Sequence, residues 1–264
     1  MKNGSVKIAD TTMDYVSFGH GPKKAILIPG LSDGLATVKG KALLLAPPYK
    51  EFFDRFTIYM FSRRNILPEA FSIRDMADDQ AEAIRQLGLE KVSVLGVSQG
   101  GMIAQYLAID HPELIEKLVL AVTSPNASDP AKERLDKWMS LAESGDHKQL
   151  MIDTAENSYS DEYLSKYRKI YPVIGSIGKP KDYKRFLVNA RAILGFDAED
   201  ELERIKCPTL IIGGEKDKIV GIDASYKLHE KIKGSELYVY EGLGHAAYEE
   251  AKDFNKRVFS FFSD

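Results

Sequence analysis

Residues 92–108 read VSVLGVSQGGMIAQYLA: an apolar run, a cluster of small residues, then an amphipathic stretch. Glycine loses more backbone freedom on folding than any other residue. Gly96, Gly100 and Gly101, gathered around Ser98 where a strand should pass into a helix, therefore imply a place that side chains cannot occupy. Gly96-Val97-Ser98-Gln99-Gly100 has the spacing G-x-S-x-G. That spacing suits a serine at the tip of a sharp strand-to-helix bend with its Oγ exposed, because a side chain two positions away on either side would collide with neighbouring backbone. The helix beyond would aim its unpaired N–H groups at the same point, ready for a developing negative charge. The plainer reading is a glycine-rich turn that only packs tightly.

Outward from this stretch, short apolar runs alternate with longer helix-patterned segments. Residues 25–30, 56–62, 92–97, 117–122, 209–215 and 236–242 read as strands. Several are apolar on both faces, as in strands covered by helices on each side. Residues 72–89 open at a serine and close at a glycine, which marks a helix, and 222–234 and 251–262 have the same period. The alternation predicts an α/β fold with a mostly parallel twisted sheet wound by helices. A short antiparallel hairpin precedes it, within the first 18 residues. Between residues 125 and 205 only helix-like stretches occur, too many for a loop. They predict an all-helical cap, or lid, inserted into a core made of residues 1–124 and 206–264.

A hydroxyl is a weak nucleophile at neutral pH, so Ser98 would need a base, and the base an orienting group. Asp217 follows the strand in CPTLIIGGEKDKIV, and His245 follows the strand in LYVYEGLGHAAYEE. The three residues come in the order Ser, Asp, His at the C-terminal ends of strands, where open α/β sheets place their sites. Each has a plainer alternative. Asp217 could be a solvated turn residue, with Glu215 a competing carboxylate, and His245 could cap the helix after it. His20, His111, His147 and His229 are less well placed, in the hairpin loop, before Pro112 and on polar helix-like stretches.

With GVSQGG at the serine, CPTLIIGGEKD before the acid and EGLGHAAYEE at the histidine, the chain resembles the α/β-hydrolase fold family. The resemblance runs from about residue 6 to the end, the cap excepted. It implies a cofactor-independent serine hydrolase using Ser98, Asp217 and His245, with the backbone N–H groups of Leu31 and Gln99 as the oxyanion hole. The side chain of Gln99 is then expected to matter little. Relatives often carry His-Gly after the first long strand and Arg-Gly after the next; this chain has Pro29-Gly30 and Arg63-Arg64, and both arginines are expected to be structural. Similar folds that act as dehalogenases or epoxide hydrolases put Asp at the position of Ser98. The expected reaction is hydrolysis of a small carboxylic ester or related acyl compound through an acyl-enzyme. Similar triads also serve thioesterases, aminopeptidases, C–C hydrolases and cofactor-free peroxidases. A ligand sensor that keeps the triad and signals through its cap is the alternative from another class.

Composition narrows the partners. The 264 residues are 44% hydrophobic and 28% charged, with a net charge of −3 that gives no electrostatic case for nucleic acid or an anionic membrane. One cysteine, Cys207, allows no internal disulfide, and five scattered histidines show no metal-ligand spacing, so no metal is expected. The opening residues lack an apolar signal core and no run approaches the roughly 20 apolar residues that span a bilayer. A cytoplasmic protein with a small-molecule substrate is expected; the sequence does not set its oligomeric state. Tyr159, Tyr163, Tyr167 and Tyr171 recur every fourth residue, a slowly drifting stripe on one helix face. The stripe could pack the cap, or Tyr163 and Tyr167 could line the substrate pocket with Trp138 and hold an apolar acyl or aryl group.

Overall fold

The computed structural model describes residues 1–174 and 178–264. Eight strands form one sheet: β1 (Lys2–Ile8), β2 (Thr11–Gly19), β3 (Lys23–Ile28), β4 (Phe56–Arg64), β5 (Val92–Val97), β6 (Ile115–Ala121), β7 (Thr209–Gly214) and β8 (Glu236–Tyr240). Their spatial order is β1-β2-β4-β3-β5-β6-β7-β8. β1 and β2 make the expected antiparallel hairpin, β2 joins β4 antiparallel, and every pairing from β4 to β8 is parallel.

The helices fall into two groups by position. Around the sheet lie α1 (Ala42–Leu45), α2 (Ile73–Gln86) and α3 (Gln99–Asp110). Between β6 and β7 come α4 (Asp129–Glu143), α5 (His147–Ser158), α6 (Asp161–Tyr167), α7 (Tyr171–Ile174) and α8 (Lys184–Leu194). The sheet is completed by α9 (Ile222–Lys231), α10 (Ala247–Glu250) and α11 (Phe254–Ser263). The start of α2 is a capping box, Ser72 and Asp75 each satisfying the other's backbone N–H. Among the described residues no helix is long and apolar enough to cross a membrane.

The strands read as unbroken apolar runs because both faces are covered. Ile26, Ile28, Val94 and Leu120 join the core under α2 and α3, whereas their neighbours Ala25, Leu27, Leu95 and Val119 join Phe254, Val258 and Phe262 of α11. The segment between β6 and β7 is tied at its base by two hydrogen bonds, Ala127 N–H to the Phe196 carbonyl and Ala198 N–H to the Pro125 carbonyl. Beyond that tie, Glu199–Arg204 form a 3-10 turn packed on α3 and α9.

Chain order and strand order together locate the crevice. From β3 the chain steps outward to β4, then returns to the other side of β3 as β5. The C-terminal ends of β3 and β5 therefore flank the point where winding reverses, the usual place for a ligand in such sheets. Gly30 and Ser98 stand at these two ends.

The glycines around Ser98 are there for space. A Cβ on Gly100 would lie 2.0 Å from the Ile28 carbonyl oxygen, and one on Gly96 would lie 2.4 Å from the Gly100 carbonyl oxygen. At Gly195, by contrast, φ is −92° and nothing lies within 4 Å of a Cβ. Gly100→Ala should therefore cost at least about 3 kcal/mol of unfolding free energy, the upper range for overpacking, while Gly195→Ala should change it by no more than about 1 kcal/mol. Urea denaturation checks both, and equal effects would contradict the steric account.

Candidate active site

Ser98 is built as a strained elbow. Its φ is +53° and ψ is −120°, outside the regions a non-glycine residue prefers. Four hydrogen bonds hold it there: its N–H donates to the Ala121 carbonyl (2.9 Å), and its carbonyl accepts from Gly101 N–H (2.8 Å), Thr123 Oγ1 (2.8 Å) and Met102 N–H (3.3 Å). Ala121 ends β6 and Thr123 lies just past it, whereas Gly101 belongs to α3; between the first two, Val122 is strained as well, with φ +45°.

The elbow presents Ser98 Oγ to His245. Nε2 of His245 lies 2.9 Å from that oxygen, and Nδ1 lies 2.8 Å from Asp217 Oδ2. The second carboxylate oxygen of Asp217 accepts the N–H groups of Ile219 (2.8 Å) and Val220 (3.0 Å). Both side chains are buried, Asp217 at 2% and His245 at 9% exposure. Burial alone would push the Asp217 carboxyl up, but the His245 imidazole and the two backbone donors outweigh it and hold the group below its ordinary value. An ionised Asp217 can only accept. Nδ1 therefore carries a proton, and in the neutral imidazole Nε2 is then the acceptor for the Ser98 hydroxyl.

The loop that carries His245 is held from two sides. Lys216 N–H donates to the Leu243 carbonyl from the turn after β7, and Ala246 N–H donates to the Ser158 carbonyl at the end of α5. Glu215 takes no part in the chain of contacts: its carboxylate accepts Gly242 N–H at 2.9 Å. His20, His111 and His229 pair instead with Asp54, Asp78 and Ser235, and the ring of His147 lies against Tyr183.

The segments carrying Leu31 and Gln99 both flank Ser98. Gly30 sits so close that a Cβ there would lie 3.3 Å from Ser98 Cβ. Leu31 opens a 3-10 turn, Leu31–Gly34, and Gln99 is the first residue of α3. The Gln99 side chain has a task that the sequence reading missed. It is fully buried, accepts from Arg63 Nη2 (2.9 Å) and donates to the Asn189 carbonyl (2.8 Å). Asp33, in the Leu31 turn, accepts Arg63 N–H (3.0 Å) and Arg185 Nη2 (2.7 Å). Arg185 also donates to the carbonyls of Asp33, Arg63 and Arg64. Helix α8, through Arg185 and Asn189, thus grips both segments. Burial pulls the Arg63 guanidinium down to about 10, with Asp33 opposing that shift and Arg185 adding to it. Arg64 makes a fork on Asp79, both contacts at 2.6 Å.

Two chambers share His245 in their walls, and one of them also reaches Ser98. The inner one, about 120 Å³, is lined by Ser98, Leu31, Met102, Leu135, Trp138 and Val220. Trp138 is fixed by its Nε1–H, which donates to Asp153 (2.9 Å). The outer chamber, about 310 Å³, is lined by Tyr159, Tyr163, Tyr167, Tyr171, Tyr248 and His245 among others. The tyrosine stripe is not one helix. Tyr159 ends α5, Ser160 restarts the chain by capping α6, and α6 stops at Tyr167. The rings still stack, with centroids of Tyr159, Tyr163 and Tyr167 at 4.5 and 4.4 Å.

With this geometry the chain can be set beside known proteins. The sequence profile described as alpha/beta hydrolase fold matches residues 54–252. A protein of Caulobacter sp. (strain K31) named as a carbamate hydrolase is 27% identical over 247 residues, covering 88% of this chain and 89% of its own. A Klebsiella pneumoniae protein named 2-hydroxy-6-oxononadienedioate/2-hydroxy-6-oxononatrienedioate hydrolase is 29% identical over 68% of this chain and 65% of its own. Among solved structures, the enol-lactonase from Burkholderia xenovorans LB400 superposes with a TM-score of 0.83 at 19% identity, covering 99% of this chain and 100% of that one. That last likeness is one of fold.

The Arg185–Asp33 pair generates a prediction. The Asp33 side chain is fully buried and that of Arg185 is 17% exposed. Removing one partner strands the other, so Arg185→Met should lose about 3 to 5 kcal/mol of unfolding free energy. Combined with Asp33→Asn, the loss should be smaller than the sum of the two single losses. Additive losses in urea denaturation would contradict the coupling.

Proposed function

We propose, on the premise that this chain belongs to the alpha/beta hydrolase family, that it is a serine hydrolase. It cleaves a small carboxylic ester or a related acyl compound. The observation that carries the reading is the buried chain of contacts from Asp217 through His245 to Ser98 Oγ, set at the winding reversal of the sheet. The names of the two relatives, a carbamate hydrolase and a 2-hydroxy-6-oxononadienedioate/2-hydroxy-6-oxononatrienedioate hydrolase, support hydrolysis as the reaction.

Each step is assigned to the chain's own residues. Ser98 Oγ attacks the carbonyl carbon as His245 Nε2 takes its proton, and Asp217 stabilises the imidazolium and keeps its orientation. The N–H groups of Leu31 and Gln99 receive the oxyanion. The tetrahedral intermediate collapses, the bond to the leaving oxygen breaks, and that oxygen takes the proton from His245. Water, deprotonated by His245, then attacks the acyl-enzyme and frees the acid. Residues 125–205 act as the cap and set substrate choice. The single cysteine, Cys207, supports a reducing, cytoplasmic setting.

The test is labelling by a fluorophosphonate, which should modify Ser98 in the native protein and leave Ser98→Ala untouched. Asp217→Asn should lower turnover on the order of 10⁴-fold, as when a triad histidine takes the wrong tautomer, and Glu215→Gln should leave it near wild type. Undiminished labelling of Ser98→Ala, or the larger loss at Glu215, would contradict the assignment.

A further inference from the structure

The two chambers differ in what they touch. The walls of the inner one include Gly30, Leu31 and Ser98, the groups proposed to hold the carbonyl. Both chambers touch His245 and Tyr248; the outer one also reaches Ala246 and Glu249, and its walls include none of Gly30, Leu31 and Ser98. Acyl transfer imposes a stereochemical rule here. The leaving oxygen must come within hydrogen-bond reach of the protonated His245 Nε2, because that nitrogen returns the proton to it. The group attached to that oxygen therefore lies on the histidine side, and the acyl group on the other.

We propose, on the reading of Ser98 and His245 as nucleophile and base, that the outer chamber is the leaving-group subsite. The substrate is an ester of a short, compact acid with a bulky aromatic alcohol that carries no negative charge.

Size, shape and charge each support one part of this. The inner chamber is about 120 Å³ and mostly apolar, with Leu135 and Trp138 in its wall, so it suits a short acyl chain. The outer chamber is about 310 Å³. Its tyrosines are already stacked, with Tyr159 and Tyr163 inclined by only 10° and Tyr163 and Tyr167 by 30°. A planar aromatic group packs against such a row in the offset or edge arrangements that rings prefer. Apart from His245, the one residue on its walls among the described residues with a carboxylate or a basic side chain is Glu249, which accepts from the Tyr159 hydroxyl. A carboxylate at that wall repels an anionic alcohol. The step balances without any co-reactant. Ser98 Oγ bonds to the acyl carbon, the acyl–oxygen bond breaks, and the proton from Ser98 leaves on the aromatic alcohol through His245.

The experiment compares 2-naphthyl acetate, ethyl acetate, 2-naphthyl octanoate and 6-carboxy-2-naphthyl acetate by rapid mixing. Wild type should favour 2-naphthyl acetate over the other three, with a burst of naphthol followed by slower hydrolysis of the acetyl-enzyme. Tyr163→Ala should lower kcat/KM for 2-naphthyl acetate at least about tenfold relative to ethyl acetate. The slow phase should follow wild type, because the naphthol has already gone. Tyr163→Phe, which keeps the ring, should recover the burst. Leu135→Phe, in the inner chamber, should instead alter the slow phase and the preference between acetate and octanoate. If Tyr163→Ala slows every ester alike, or changes the slow phase and acyl-length preference, the leaving-group assignment is wrong. If the carboxylated naphthyl ester reacts as fast as the neutral one, the charge rule is wrong. A wild-type protein that forms no acetyl-Ser98 with any of the esters overturns the parent reading and this inference with it.

Discussion

The site depends on a backbone that should not be comfortable. Ser98 sits at φ +53° with its neighbours stripped of side chains so that α3 can press against the end of β3. Such a conformation costs on the order of 1 to 3 kcal/mol and persists only where its surroundings over-determine it. Here they do. The elbow's N–H and carbonyl are tied to Ala121, Gly101 and Thr123, and the sheet on either side is buried on both faces. The strain brings the hydroxyl out of the sheet plane and onto His245. Without it, Ser98 would be one more residue of a strand end.

The second constraint is electrostatic. Arg185 and Asp33 are charged groups in a largely dry part of the protein, where an unpaired charge is expensive. Their pairing crosses from the segment after β6 to the loop after β3, and Gln99 and Asn189 extend it to the start of α3. The helices that cover Ser98 are thus fastened to the backbone proposed to hold the oxyanion. Ser158 does the same for the loop of His245. Movement of those helices would be felt at the Leu31 turn, at the start of α3 and at the loop of His245.

The central part of this was legible in the sequence. Parallel strands covered on both sides must be apolar throughout, so their runs stood out, and G-x-S-x-G, the aspartate after β7 and the histidine after β8 each stood at a strand end. Other parts left no local trace. Arg185 and Asp33 lie 152 positions apart, and nothing in RFLVNARAIL or in PGLSDG announces a partner. The Gln99 side chain looked incidental because a backbone N–H was the feature of interest at that position. The four-residue recurrence of tyrosines predicted a single helix face. Ser160 interrupts that helix by capping α6, and the rings line up across the break because ring contacts, not backbone periodicity, order them.

If Ser98 carries the acyl group between two half-reactions, the group can be trapped on it. The direct measurement is acid quenching of the protein milliseconds after mixing with 2-naphthyl acetate, followed by peptide mass spectrometry. One acetyl group is expected on the peptide that contains Ser98, appearing with the first turnover and decaying as acetate is released. Turnover with no acetylated peptide, or with the acetyl group on another residue, would contradict it.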